Sequence, residues 1–252
     1  MNIELAEGDR AAGESFRKLA EAADEFEAYK NPHASRIARI ADALAARFRL
    51  SRADRTSIVF AALLHDVGEM TMRRDYIQRA GPLNSAERAD LQRHPVIGEQ
   101  EAARASADRA VQLLVRWHQE WWDGSGYPDA LRGEQIPLGA RILRAADAYA
   151  ALTDARPFRP AGTEAEARKH LTLWAGLEFD PRVVSALLSL EPLPELRAYA
   201  RAPQPGVEEK TADAAVVEAE AAPVERDAAV VETTDAEVAE VAHAGASEPA
   251  NP

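Results

Sequence analysis

The 252-residue chain has no cysteine, which excludes disulfides, thiolate zinc sites, iron–sulfur clusters and a cysteine nucleophile. It also lacks a long apolar run: the longest, Ile58 to Leu64, falls far short of the ~20 residues a membrane-spanning helix needs. Aromatic residues supply only 6% of the chain. The opening MNIELAEGDR has neither the basic nor the apolar region of a secretory signal, so a cytoplasmic location without membrane contact is expected. An excess of positive charge is missing too. With 30 basic against 42 acidic residues the net charge is -12, which argues against DNA or RNA as a partner.

That charge is unevenly spread. Residues 201–252 hold 12 acidic and 3 basic residues, so the body up to residue 200 is close to neutral. The same stretch has no aromatic residue and repeats DAAVVE from Asp213 and from Asp227. Such a composition buries too little apolar surface to offset the entropy of ordering, and a disordered acidic tail is expected.

The body reads as helices with short breaks. Ile37, Ile40, Leu44 and Phe48 recur at helical spacing. Ser51 with Asp54, Asn84 with Glu87 and Thr163 with Glu166 have the spacing of reciprocal N-terminal caps. Asp180-Pro181 supplies a cap followed by a first-turn proline ahead of Val183, Val184 and Leu187. No stretch alternates with period two, so an all-α body is expected. Residues 1–28 read as a helical lead-in, 29–200 as the domain and 201–252 as the tail.

Histidine is scarce, with only six in the chain, and four stand in suggestive places. His65-Asp66 ends the apolar run AALLHDVGE. An imidazole and a carboxylate at the end of a buried helix are costly unless paired or bound to metal. His33 opens HASRIARIADALA, His94 begins HPVIGE, and His118 lies in WHQEWWDGSGYP. Asp147 stands beside the apolar stripe of Ile142, Ala145, Tyr149 and Leu152. Nitrogen and oxygen ligands without sulfur suit iron, manganese or zinc. Potential ligands on separate helices, each near an apolar face, point to a metal centre inside a helical bundle.

The ordered set His33, His65-Asp66, His94-Pro95, the loop Asp123 to Pro128, Ala146-Asp147, RPFRP from Arg156 and FDPRVV from Phe179 resembles the HD-GYP branch of the HD phosphohydrolase superfamily. The resemblance covers roughly residues 30–190 and implies a helical bundle with a metal centre in its core. The implied activity is a metal-dependent phosphodiesterase acting on cyclic di-GMP. It implies one metal position held by His33, His65, Asp66 and Asp147, with Asp66 as the catalytic carboxylate bridging to a second. That second position would use His94, His118 and the residue after it, Gln119. One or two divalent ions, iron or manganese, are the implied cofactor. Gly126, Tyr127, Pro128, Arg156 and Arg159 are the implied substrate contacts. The GYP loop and the tail are also candidate surfaces for a protein partner.

Two residues depart from the family pattern. Where the family reads His-His-Glu, this chain has His118-Gln119-Glu120, and an amide oxygen is a weaker ligand than imidazole. Where the family has a lysine after HD-x-G, this chain has Glu69. Tyr29 stands where relatives with a third metal carry a carboxylate, so a trinuclear site is not expected. These departures motivate a second reading, a catalytically weak domain that works as a signalling module. Trp117 is expected in the core, and Arg141 and Arg144 at the surface or in ion pairs.

Overall fold

The computed structural model describes residues 7–156, 159–190 and 194–198. Ten α-helices form among them: α1 Glu7–Phe26, α2 His33–Arg47, α3 Arg52–Leu64, α4 Val67–Met72, α5 Ser85–Leu91, α6 His94–Arg104, α7 Arg109–Trp117, α8 Leu138–Thr153, α9 Glu164–Leu173 and α10 Pro181–Leu188. No β-strand occurs among the described residues, only isolated bridges at Arg156–Arg159 and Ala175–Phe179. The all-α expectation holds. No described helix is long and apolar enough to cross a membrane. The acidic tail lies outside the described residues.

The local caps form as their spacing predicts. Ser51 accepts from the Asp54 amide, and complete capping boxes form at Asn84–Glu87 and Thr163–Glu166. Asp180 caps α10 by accepting from Arg182 N, with Pro181 in the first turn. Each such cap contributes about 1 kcal/mol and fixes where a helix starts.

At the centre lies α3, whose residues Ile58 to Leu64 are all buried. A helix apolar all round can be accommodated only when neighbours cover it on every side. Here α2, α1, α7 and α8 do so. Ile37, Ile40 and Leu44 of α2 and Ile142, Ala145 and Tyr149 of α8 are fully buried in the same core. From α1, Phe16 meets Phe60 edge-on at 5.0 Å, so this helix contributes to the core. A second contact set, α6 on α4 and α7, depends on glycine. A Cβ on Gly68 would stand 2.1 Å from the His94 carbonyl oxygen, and one on Gly98 would stand 2.9 Å from Val115 Cγ1. Absent side chains let α4 approach α6 closely, and this brings Asp66 up to His94.

Candidate metal centre

The six ligand candidates arrive from helix ends and one helix middle. His33 is the first residue of α2, and His65 is the C-terminal cap of α3 with Asp66 next to it. His94 opens α6, His118 caps the end of α7, and Asp147 lies within α8. All four histidines are buried, none more than 3% exposed.

The last carbonyls of a helix have no intrahelical partner. Three histidines make use of such carbonyls. His65 Nδ1 donates to Ala62 O at 2.9 Å, His94 Nδ1 to Leu91 O at 2.9 Å and His118 Nδ1 to Val115 O at 2.7 Å. A carbonyl can only accept, so in the neutral ring the proton sits on Nδ1 and leaves Nε2 with a bare lone pair. His33 is fixed differently: its Nδ1 lies 2.7 Å from Asp154 Oδ2, and Arg36 Nη1 donates to the other Asp154 oxygen at 2.7 Å. Tyr29 stacks flat on the His33 ring at 3.8 Å.

All four Nε2 atoms turn inward, towards two groups. His33, His65 and Asp147 form one, and Asp66, His94 and His118 the other. In the first, Asp147 Oδ1 lies 3.6 Å from His33 Nε2 and 3.9 Å from His65 Nε2. In the second, Asp66 Oδ1 lies 3.5 Å from both His94 Nε2 and His118 Nε2. Asp66 Oδ2 lies 2.9 Å from His65 Nε2, so this carboxylate faces both groups.

These residues fit divalent cations. His33 Nε2, His65 Nε2 and Asp66 Oδ1 are buried without a hydrogen-bond partner, a costly arrangement that a metal would relieve. His94 Nε2 and His118 Nε2 stand 3.3 Å apart. Two bare lone pairs at that distance repel unless a cation lies between them. Burial, only partly offset by the Asp66 charge, lowers the His94 pKa to about 4, which keeps the ring neutral and ligand-ready. Burial would raise Asp147, yet the nearby His33 ring and the His65 charge pull it down to about 2. Asp66 is likewise held well below the usual range by His65 and His118, against the effect of burial.

Glu69 points inward, its Oε1 3.8 Å from His94 Nδ1. Burial, then the neighbouring Asp66 charge, push its pKa well up, against the opposing pull of Arg156. Glu27, 3% exposed, is raised in the same way and pairs with Arg156 at 3.3 Å.

The other sequence candidates separate. Tyr127 meets His94 edge-on at 6.1 Å, beside the second group. Gly126 packs so closely that a Cβ would stand 2.2 Å from Trp121 N and 2.6 Å from Gln119 O. The Tyr127-Pro128 peptide is cis. Pro128 and Tyr127 line a shallow cavity with Val96, Ile97 and Arg93. Arg156 donates to the Tyr29 hydroxyl and lies over that ring at 4.4 Å, while Arg159 donates to Ala151 O. Gln119 turns to Arg144, whose Nη1 donates to its Oε1 at 2.7 Å. Trp117 packs against the core, donating Nε1 to Asp129 at 2.7 Å. Arg141 pairs with Asp180 at 2.7 Å.

Several site residues were not singled out from sequence. Asp154 supports His33 across 121 residues of chain, and Arg36 reaches the same carboxylate across 118. Glu120, 2% exposed, accepts the Asp129 and Leu131 amides and holds the GYP loop. Asp154 is the C-terminal cap of α8, the helix that carries Asp147.

An HD domain profile matches residues 19–183. A cyclic di-GMP phosphodiesterase response regulator of Xanthomonas campestris is 38% identical over 178 residues, 69% of this chain and 47% of that protein. A 3'3'-cGAMP-specific phosphodiesterase of Vibrio cholerae is 32% identical over 173 residues, 68% of this chain and 33% of that protein. The chain therefore spans less than half the length of these relatives. A solved HDG"Y"P protein of Bdellovibrio bacteriovorus shares the fold, with TM-score 0.54 and 21% identity over 70% of this chain and 60% of that one.

Proposed function

The chain belongs to the HD domain family, in its HD-GYP branch, and from that premise we propose that it is a metal-dependent phosphodiesterase hydrolysing cyclic di-GMP. The observation that carries the reading is the His94–His118 pair. Two imidazoles whose Nδ1 atoms face backbone carbonyls bring their Nε2 atoms to 3.3 Å from each other, beside a carboxylate shared with a second ligand group. Phosphodiesterases among the relatives support the same reading.

His33, His65 and Asp147 would hold one ion, and His94 and His118 the other, with Asp66 between them. Iron or manganese suits this nitrogen and oxygen donor set. When bound, paired cations acidify water and neutralise charge on the phosphodiester. In the hydrolysis, water oxygen bonds to phosphorus, the bond to the ribose oxygen breaks, and that oxygen leaves with a proton. The ring opens to a linear dinucleotide, and a second round yields GMP.

This chain's residues prepare the centre. The backbone carbonyls and Asp154 engage the four Nδ1 atoms and so hold the rings with Nε2 turned inward. Asp66, with one oxygen towards each group, stands at the reacting position. Gly126, Tyr127 and Pro128 border the second group, and Arg156 and Arg159 follow α8, so these five are the proposed substrate contacts. Arg156 also offsets the charge of Glu27 and Glu69. A cytoplasmic site of action is part of the same proposal.

The test is hydrolysis of cyclic di-GMP by anaerobically purified protein supplied with iron(II) or manganese(II), alongside 3'3'-cGAMP. Linear dinucleotide or GMP from cyclic di-GMP is expected. Preferential turnover of 3'3'-cGAMP would revise the substrate, and no turnover of either by fully metal-loaded protein would defeat the reading.

A further inference from the structure

We propose that Arg144 is a phosphate-binding residue of the site and that Gln119 positions it and is not a metal ligand. This rests on the phosphodiester reading above and names how this chain meets the anion.

Gln119 directly follows His118 in the chain, yet its side-chain oxygen is engaged elsewhere. It accepts from Arg144 Nη1 at 2.7 Å. A guanidinium at that distance opposes a dication on the same oxygen by direct charge repulsion, in surroundings that screen poorly. The ligand position is thereby converted into an acceptor for an organic cation.

Arg144 lies on α8 one turn before Asp147, and its Nη1 is 3.5 Å from Asp147 Oδ2. Asp147 Oδ1 faces His33 and His65. One carboxylate therefore has the first ligand group on one side and the arginine on the other. Arg144 Nη2 donates to Glu178, which is only 3% exposed. The side chain of Arg144 itself is 16% exposed, and its Nε is buried without a hydrogen-bond partner. Tyr127 of the loop stands within its field, since the arginine opposes the upward pull of burial on the Tyr127 hydroxyl.

The guanidinium is thus fixed by Gln119 and Glu178 at the border of the metal centre and the GYP loop. A planar fork with five N–H donors, pre-oriented and always charged, suits a non-bridging phosphate oxygen. Lysine is missing from the position after Gly68, where Glu69 stands. Arg144 supplies a fixed positive charge beside Asp147 and Gln119.

The experiment compares R144A, R144K and Q119A with the natural chain. It measures metal content by mass spectrometry, cyclic di-GMP affinity by calorimetry, and kcat separately from KM. R144A is expected to keep its metal content and bind cyclic di-GMP about tenfold to a hundredfold more weakly, the range for a lost hydrogen bond to a charged group. The loss should appear mainly in KM, and R144K should recover part of it. Q119A should retain all metal and show a smaller rise in KM. Loss of an ion in Q119A would make Gln119 a ligand and overturn the proposal, as would unchanged affinity in R144A. If R144A does not fold, R144K and Q119A decide by the same readouts. If the natural chain carries its metals and binds no cyclic di-GMP, the functional reading falls and the phosphate contact with it. The Q119A metal content still decides the ligand question.

Discussion

The two ligand groups are built from the same residue types and supported by different means. In the first, His33 is backed by the Asp154 carboxylate, itself held by Arg36, and the group includes the ionised Asp147. In the second, His94 and His118 are backed only by backbone carbonyls, and Gln119 is turned away to Arg144. A carboxylate behind an imidazole raises its basicity more than a carbonyl does. The first position should therefore hold its ion more tightly, and the second should depend on Asp66, which both share. The lesson is that one bridging carboxylate couples a strongly supported position to a weakly supported one.

The largest expected effect removes the coupling itself. Asp66→Ala should strip both ions, read as metal content near zero by mass spectrometry. Retention of full metal would break the comparison at its root. Next, Asp154→Asn should sharpen it, lowering metal affinity about 10- to 100-fold at the first position alone. Competition titration with a chromogenic chelator would show one weakened and one unchanged phase. Equal weakening of both phases would contradict the separate support of the two groups.

A third change tests the loop beside the second group. In Gly126→Ala the new methyl would meet backbone atoms at 2.2 and 2.6 Å, which cannot swing aside. The cost should be about 2 kcal/mol, seen as a melting temperature lower by about 4–8 °C. The smallest effect concerns Asp129, which accepts from Arg116 and Trp117 where the same loop meets α7. The Arg116 hydrogen bonds lower its pKa from 3.8 to about 2 against a small effect of burial. Its folded pKa lies below the unfolded value, so its contribution is complete above the unfolded value of 3.8. It is lost as pH falls through 2. Solvent reaches this pair, so the contribution stays below about 1 kcal/mol. Asp129→Asn should flatten the melting temperature between those pH values by that amount; an unchanged slope would remove Asp129 from the account.

What could be read from sequence follows the range of the interaction. The caps at Ser51, Asn84, Thr163 and Asp180 span two or three residues, so spacing alone reveals them. The six candidate ligands stand out in the sequence because each lies where a polar residue interrupts an apolar helix or its end. Arg144 was expected at the surface or in an ion pair; the pairing holds, and its partners, Gln119 and Glu178, lie 25 and 34 residues away. Such partners are set by how α7, α8 and the segment before α10 pack, and no local pattern encodes them. The same applies to Arg36, whose contact with Asp154 joins two helices across 118 residues. Glu69 was legible as a departure, while its inward orientation and raised pKa depend on the close approach that Gly68 allows.

The paired-site claim is tested most directly by anomalous scattering from crystals of the manganese-loaded protein. Two peaks are predicted: one bounded by His33, His65 and Asp147, the other by His94 and His118, with Asp66 reaching both and Gln119 bonded to Arg144. A single peak, or a second ion coordinated by Gln119, would contradict the account.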